Sequence, residues 1–86
     1  MKEKASVITV YDHTNGKAFP WRIKRGGRVY TVSQIGYHHT REDGRTLHHI
    51  FSVTTDSLYL RLDFDTQTLS WLITDSSDKG QENTSV

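Results

Sequence analysis

The sequence predicts an all-β fold, a six-stranded antiparallel meander that curls into a small barrel or folded sandwich and ends in a disordered C-terminal tail. Apolar and polar residues alternate along most of the chain, as in Leu58, Leu60 and Leu62, which is the pattern of a half-buried strand. Pairs typical of tight turns, such as Asn15-Gly16 and Gly26-Gly27, separate these runs. No run has the spacing of an amphipathic helix, so strands are the only elements we expect.

The strands are assigned to the alternating runs between the turns, which are rich in Val, Ile, Thr, Tyr, Phe and Trp. The predicted strands span residues 7–13, 18–25, 28–39, 46–54, 58–64 and 69–74. Residues 75–86 have a single apolar residue, at the terminus, and cannot bury enough surface to offset the entropy lost on ordering. We therefore predict one β domain over residues 1–74, with a flexible start at 1–6, and a disordered polar tail over 75–86.

The register of the hairpins gathers the apolar side chains on one face. When each hairpin is centred on its turn, Ile8 lies opposite Ile23, and Ile23 lies opposite Tyr30. No helix is available to cover this face, so the sheet must close on itself. The predicted face comprises Ile8, Val10, Phe19, Trp21, Ile23, Tyr30, Val32, Phe51, Val53, Leu58, Leu60, Leu62, Phe64, Leu69, Trp71 and Ile73.

Pro20 restricts how the second strand can pair. Proline has no N–H to donate to a ladder, so we expect this part of the strand at an edge. The sequence leaves open whether the first strand pairs with the second or with the last.

Composition limits the classes of function. A chain of 86 residues forms one domain, and the absence of cysteine excludes a disulfide framework or a thiolate metal site. No apolar run is long enough to span a bilayer or to act as a signal peptide, so we expect a cytoplasmic protein without a membrane partner. The net charge of +1 hides an asymmetry: residues 1–50 have nine basic and four acidic residues, and residues 51–86 have two and six.

Two histidine pairs flank the Asp43-Gly44 turn. The centred register places His39 opposite His48, and His38 opposite His49, close enough to share a transition metal. The two pairs point to opposite faces, however, and each lacks the further ligands that zinc requires. We expect polar strand residues at a hydrated hairpin tip and no cofactor. A histidine-dependent metal site at these four residues is the alternative, and a pH-dependent contact is a third reading.

A basic hairpin surrounds Gly26-Gly27. Its cations, Arg22, Lys24, Arg25 and Arg28, could contact phosphates along a nucleic acid, which makes this hairpin the candidate nucleic-acid-binding site. Two alternatives remain: an acidic protein partner, and a solvated turn whose charges keep the protein soluble.

An apolar cluster is expected on the outer face of the sheet. Ile35, Tyr37 and Ile50 point away from the predicted core in the centred register. A contiguous exposed patch of this kind would be a partner surface. The alternative is a β-bulge near Ser33-Gln34 that turns Ile35 and Tyr37 inward.

An aromatic and basic pattern runs through the chain in Phe19-Pro20-Trp21-Arg22, Gly27-Arg28-Val29-Tyr30-Thr31-Val32, the Leu58–Leu62 strand, the Asp65 turn and Trp71. This pattern resembles that of a family of small bacterial domains of unknown function, which occur beside or fused to proteins related to translesion DNA polymerases. The inserted Ile23-Lys24-Arg25 and the paired histidines depart from the family pattern. The resemblance implies a β accessory module near DNA transactions, with no catalytic residues to transfer.

The sequence contains none of the familiar enzyme motifs. It has no glycine-rich phosphate loop, nucleophile elbow, HExxH motif or paired carboxylates, and so short a chain is not expected to enclose a generous pocket. We therefore expect a non-enzymatic binding or adaptor module whose partner is a protein or a nucleic acid.

Overall fold

The computed structural model describes residues 2–79 and contains six antiparallel strands. They are β1 (Glu3–Asp12), β2 (Lys17–Arg25), β3 (Arg28–Asp43), β4 (Thr46–Thr55), β5 (Leu58–Asp65) and β6 (Ser70–Asp78). Each strand pairs with the next, and β6 pairs with β1, so the sheet is a closed barrel. The predicted all-β meander that closes into a barrel is confirmed. The described residues include no helix that could cross a membrane.

The barrel is closed at one end only. β1 pairs with β6 through Glu3–Ala5, and β2 pairs with β3 through Arg22–Arg25. Residues 9–20 of the β1–β2 hairpin pair with neither β3 nor β6, and we call this segment the hairpin arm. At this open end, the arm and the β3–β6 sheet form two separate layers, which leaves the inner faces of the strands less covered.

The core lies on the face that the alternation predicts. Ile23, Leu62 and Ile73 are fully buried at its centre. The core cluster comprises Ile23, Phe51, Val53, Leu60, Leu62, Trp71 and Ile73. All of these belong to the predicted face, so burial of apolar area on this face supplies the main stabilisation of the fold.

The β4–β5 and β5–β6 hairpins are displaced by two residues from the centred register and keep the same face inward. In the β4–β5 hairpin, Val53 lies opposite Leu60, because Thr55 Oγ1 accepts hydrogen bonds from the N–H groups of Ser57 and Leu58 and moves the turn along the chain. The β5–β6 loop spans residues 66–69, which leaves Leu69 70% exposed with a φ of 59°. The prediction that Leu69 belongs to the core is therefore wrong.

The first hairpin contains a bulge that the sequence analysis missed. The loop of residues 13–16 is closed by a 2.8 Å hydrogen bond from the Gly16 N–H to the Asp12 carbonyl. An extra residue in β2 at Trp21 then places Val7, not Ile8, opposite Ile23. Ile8 is 54% exposed and Trp21 is 40% exposed, so both predictions of a core position are wrong.

The pairing of β2 agrees with the expectation for proline. Pro20 is buried, and its segment of β2 pairs only with β1. The open question about the first strand is also answered, because β1 pairs with both β2 and β6.

The two ends of the domain extend further than the sequence predicts. Residues 3–6 belong to β1, and residues 75–78 belong to β6 and pair with β5, so both were wrongly assigned as flexible or disordered. Backbone hydrogen bonds to β5 hold this polar segment of β6 in place without apolar burial. Lys79 follows it and donates two hydrogen bonds of 3.0 Å, from its backbone N–H to the Ser57 carbonyl and from its Nζ to the Thr55 carbonyl. The remainder of the predicted tail, residues 80–86, lies outside the described residues.

Candidate binding pocket at the open end of the barrel

The turn between β3 and β4 determines where the histidines lie. Asp43 pairs with Thr46, so the central turn residues are Gly44 and Arg45 instead of the predicted Asp43 and Gly44. Gly44 has a φ of +63° and occupies the first central position, as in a type II′ turn. The ladder is displaced by two residues as a result, and His38 lies opposite Phe51.

His38 and His49 meet on the inner face, as diagonal neighbours on β3 and β4. His38 Nε2 and His49 Nδ1 are 2.9 Å apart, and the His38 ring stacks on Phe51 with a centroid distance of 4.3 Å. Burial lowers the pKa of His38, and His49, His39 and Lys17 lower it further, because a second positive charge there is unfavourable. One imidazole must donate and the other accept, so this hydrogen bond cannot form when both rings are protonated.

His39 and His48 do not form the predicted facing pair. His39 lies opposite Ile50 and stacks on Tyr37 at 5.0 Å. His48 lies opposite Arg41, and its Nδ1 donates a 2.7 Å hydrogen bond to Asp63. The two-residue displacement makes His39 and His48 diagonal neighbours as well, but each ring has another partner, and the outer face of the sheet holds both residues.

The histidines therefore supply few ligands for a metal. No group of three His, Cys, Asp or Glu side chains able to hold an ion occurs within residues 2–79. The bonded pair of His38 and His49 provides two donors, whereas zinc sites in proteins have three or four protein ligands.

A pocket of about 370 Å³ opens between the hairpin arm and the β3–β6 sheet. Four aromatic side chains and the histidine pair dominate its wall, and the exposed Lys17 stands at its rim. The ring centroids of Phe64 and Trp71 are 4.7 Å apart, and those of Phe51 and Trp71 are 5.8 Å apart. The lining residues are Thr9, Gly16, Lys17, Ala18, Phe19, His38, His49, Phe51, Phe64 and Trp71. We refer to this site as the open-end pocket.

Sequence reasoning missed the open-end pocket. The four aromatic residues were assigned to a closed core, and no generous pocket was expected of so short a chain. The pocket exists because the arm pairs with neither β3 nor β6. One signal was present: Phe19, Phe64 and Trp71 all lie within three residues of a loop, in 13–16 or in 66–69, so large rings are concentrated at one end of the barrel.

The basic hairpin is not one continuous site. Arg25 is directed toward the barrel, where its Nε lies 3.2 and 3.1 Å from the two Glu3 oxygens and its guanidinium donates to Ser76 at 3.2 Å. Arg25 therefore links β2 to β1 and β6 and is a structural residue, which corrects its prediction as a nucleic-acid contact. The exposed cations of the hairpin are Arg22, Lys24 and Arg28.

The predicted outer cluster of Ile35, Tyr37 and Ile50 does not form. Bulges at Ser33 and Gly36 interrupt the pairing of β3 with β4. The first turns Ile35 inward against the core, and the second returns Tyr37 to the outside, where it is 59% exposed. Ile50 is on the outer face but is only 6% exposed. The alternative of a bulge near Ser33-Gln34 is thus correct for Ile35 and wrong for Tyr37.

The low pKa of His38 predicts that acid destabilises the fold. Its folded pKa lies below the ordinary value of 6.5, so the unfolded chain takes up a proton first as the pH falls. His38 therefore makes its full contribution to the free energy of unfolding above about pH 6.5. This contribution is lost as the pH falls from there to the folded pKa. We expect the urea midpoint of the parent protein to fall more between about pH 7 and about pH 5 than that of His38→Gln. His13→Gln, at an exposed loop residue, is the control. If the urea midpoints of the parent and of His38→Gln fall equally with pH, His38 is not the source of the acid destabilisation.

Comparison with models of protein families, with curated proteins and with solved structures gave no match. The resemblance to the bacterial domain family accordingly stays a prediction from residues 19–74.

Proposed function

We propose that this protein is a non-enzymatic binding or adaptor module and that the open-end pocket receives an aromatic side chain of a protein partner. The observation that carries the proposal is the pocket itself, about 370 Å³ in volume and lined by four aromatic rings and two stacked histidines. Its volume is at the lower end of the range of roughly 300–1,000 Å³ for ligand sites, which suits one ring system better than a large cofactor.

The wall of the pocket favours a ring over an aliphatic group. Phe51, Phe64 and Trp71 present tilted faces, and an inserted ring could make offset or edge-to-face contacts worth about 0.5–1.5 kcal/mol each beyond the area they bury. The His38–His49 pair and Lys17 supply polar groups for a hydroxyl or indole N–H at the mouth. The pocket thus combines an apolar interior with a few polar groups, as binding sites generally do.

The same wall offers little for catalysis. The lining residues include no aspartate, glutamate, serine or cysteine, so the histidine pair has neither an orienting carboxylate nor a serine or cysteine nucleophile within the pocket. The hydrogen-bonded His48 and Asp63 lie on the outer face of the sheet, away from this cavity. These features support binding as the function of the site.

The test is a titration with p-cresol and indole, which represent the side chains of tyrosine and tryptophan. We expect dissociation constants near about 1 mM by calorimetry, because a single ring brings few contacts, and much weaker binding of cyclohexanol. Ala18→Leu should weaken ring binding by about tenfold or more, because Ala18 is exposed at the pocket and a larger side chain would occupy its mouth.

The matched control is Thr31→Leu, which adds similar apolar bulk at an exposed strand residue outside the pocket. It should leave ring binding within about twofold of the parent value. If neither ring compound binds, or if Ala18→Leu and Thr31→Leu behave alike, the pocket is not the binding site.

Nucleic-acid binding at the exposed part of the basic hairpin is the second candidate function. Arg22 lies over the Trp21 ring at 4.4 Å, and Arg28 lies over the Tyr30 ring at 5.4 Å. Guanidinium groups held on aromatic rings in this way are positioned at the surface to contact phosphates. This arrangement favours the second candidate over the acidic-partner reading of the same hairpin.

Salt dependence tests this second candidate. With Arg22, Lys24 and Arg28 as the exposed cations, the log–log salt slope on duplex DNA should be about −3. The double variant Arg22→Ser, Arg28→Ser should reduce the slope by about two with little change in melting temperature, because both side chains are exposed. Arg25 is unsuitable for this variant because it binds Glu3 and Ser76. No detectable complex at low ionic strength would eliminate the candidate.

A further inference from the structure

One edge of β3 has no partner strand over most of its length. The β2–β3 ladder ends at the pair Arg22 and Thr31, and from Val32 onward the described residues pair with β3 only through β4. The other edge of β3 therefore carries main-chain N–H and C=O groups without a neighbouring strand. Such an edge is a template for the addition of a further strand.

The second half of this edge is regular. Bulges at Ser33 and Gly36 interrupt the first half, and a bulged strand is a poor template. From Tyr37 to Asp43, however, the register with β4 is continuous. We refer to Tyr37–Asp43 as the free edge.

The free edge borders the open-end pocket. His38 belongs to it and lines the pocket wall. A second cavity, of about 300 Å³, lies between Phe19–Trp21 of β2 and Val32–Ile35 of β3. Phe19 lines both cavities, so both lie beside the segment of β2 that does not pair with β3.

The chemistry of the two facing strands favours pairing with β3. Residues 37–40 of the free edge contain no charged residue and no proline, which are usual protections of a sheet edge, whereas Arg41, Glu42 and Asp43 at its far end are charged. On the opposite side of the second cavity, Pro20 leaves β2 without one backbone donor. β3 is consequently the strand that can accept a partner.

We propose that the protein partner binds by strand addition: an extended segment of the partner pairs with the free edge of β3 and directs an aromatic side chain into the open-end pocket. This inference rests on the proposed function, because it uses the same pocket. Main-chain groups at strand spacing are satisfied by another extended polypeptide backbone, which favours a peptide over a nucleic acid. Since strand side chains alternate, every second residue of the added segment lies on the side of His38 and the pocket.

Selection from a display library of random peptides of about twelve residues, each with a central tryptophan, tests the proposal. We expect selected peptides to bind and to protect from hydrogen exchange, by about tenfold or more, those backbone amides of Tyr37–Asp43 that point away from β4. N-methylation of alternate peptide amides should each weaken binding by about tenfold or more, and N-methylation of the intervening amides should change it by less than about twofold. The reason is that only one set of amides faces β3.

The outcomes separate this inference from the proposed function. If peptides bind the Ala18→Leu variant more weakly than the parent protein but tolerate N-methylation at every amide, strand addition is overturned and the pocket remains the binding site. Selection of no peptide that competes with indole would overturn both. Sedimentation that shows a dimer of this chain, with the same amides protected in the absence of peptide, would assign the free edge to a second copy and overturn the peptide as its occupant.

Discussion

Replacement of Trp71 by alanine should lower the free energy of unfolding by about 3–5 kcal/mol, a large share of the stability of a small domain. Trp71 is 9% exposed and contacts the rings of both Phe51 and Phe64 at the base of the open-end pocket. The substitution removes a large buried surface and extends a cavity that is already present, so the surrounding side chains cannot fill the space.

Trp21→Ala is the matched control, since it removes the same side chain from an exposed position. The bulge in β2 places Trp21 outside the core, and we expect a loss of about 1 kcal/mol or less, mainly from its contact with Arg22. Urea denaturation of the two variants measures the difference. Equal losses in the free energy of unfolding for Trp71→Ala and Trp21→Ala would indicate that Trp21 lies in the core, and would contradict the bulge.

The second large effect is expected at Ile23. Ile23 is fully buried, and Ile23→Ala should cost about 2–5 kcal/mol because it leaves a cavity in the centre of the core. Ile8→Ala, the same substitution at a residue that is 54% exposed, should cost about 0.5 kcal/mol or less.

This second pair of variants tests the register of β1 and β2. In the structure Val7 faces Ile23, and Ile8 points outward. Chemical denaturation that found Ile8→Ala as damaging as Ile23→Ala would instead support the centred register, in which the two isoleucines face each other. The comparison is independent of any ligand, because neither residue lines the open-end pocket.

The alternation of apolar residues was sufficient to predict the architecture. Side chains alternate with a period of two, so a displacement of the register by two residues keeps the same residues inward. This is why Leu60 and Leu62 are in the core although Leu60 pairs with Val53 and not with Phe51. The fold prediction was thus insensitive to errors in turn position.

Bulges are the main source of the errors in the predicted faces of the strands. A single extra residue exchanges the inward and outward faces beyond it, as at Trp21, Ser33 and Gly36. The errors at Ile8 and Ile35 follow directly from these bulges. The sequence analysis left a bulge near Ser33-Gln34 open as an alternative, but it predicted none at Trp21, where an alternating strand pattern continues through the extra residue.

The candidate site was harder to predict than the fold. The histidines attracted attention through their pairing in sequence, and His38 and His49 do meet, but only as diagonal neighbours after the turn moved to Gly44-Arg45. Arg25 was predicted as a solvated cation, and it is bound to Glu3 through the closure of the barrel. The first result depends on the exact position of a hairpin turn and the second on barrel closure, and period-two patterns specify neither.

The proposed site overlaps the core, which determines how it can be studied. Phe51 and Trp71 belong both to the core cluster and to the wall of the open-end pocket. Truncation of either residue would change stability and binding together. Ala18 and Lys17 are exposed at the mouth, so substitutions there separate the two effects.

Mapping of a bound ring compound on the protein tests the central claim most directly. In a titration of isotope-labelled protein with indole, followed by the backbone amide resonances, we expect saturable shifts concentrated at Lys17, Ala18, Phe19, His38 and Phe64, which line the open-end pocket. Resonances of the basic hairpin, residues 22–28, and of Tyr59 on the outer surface should stay unchanged. Shifts centred on the basic hairpin, or no saturable shift at the pocket residues at about 10 mM indole, would contradict the account.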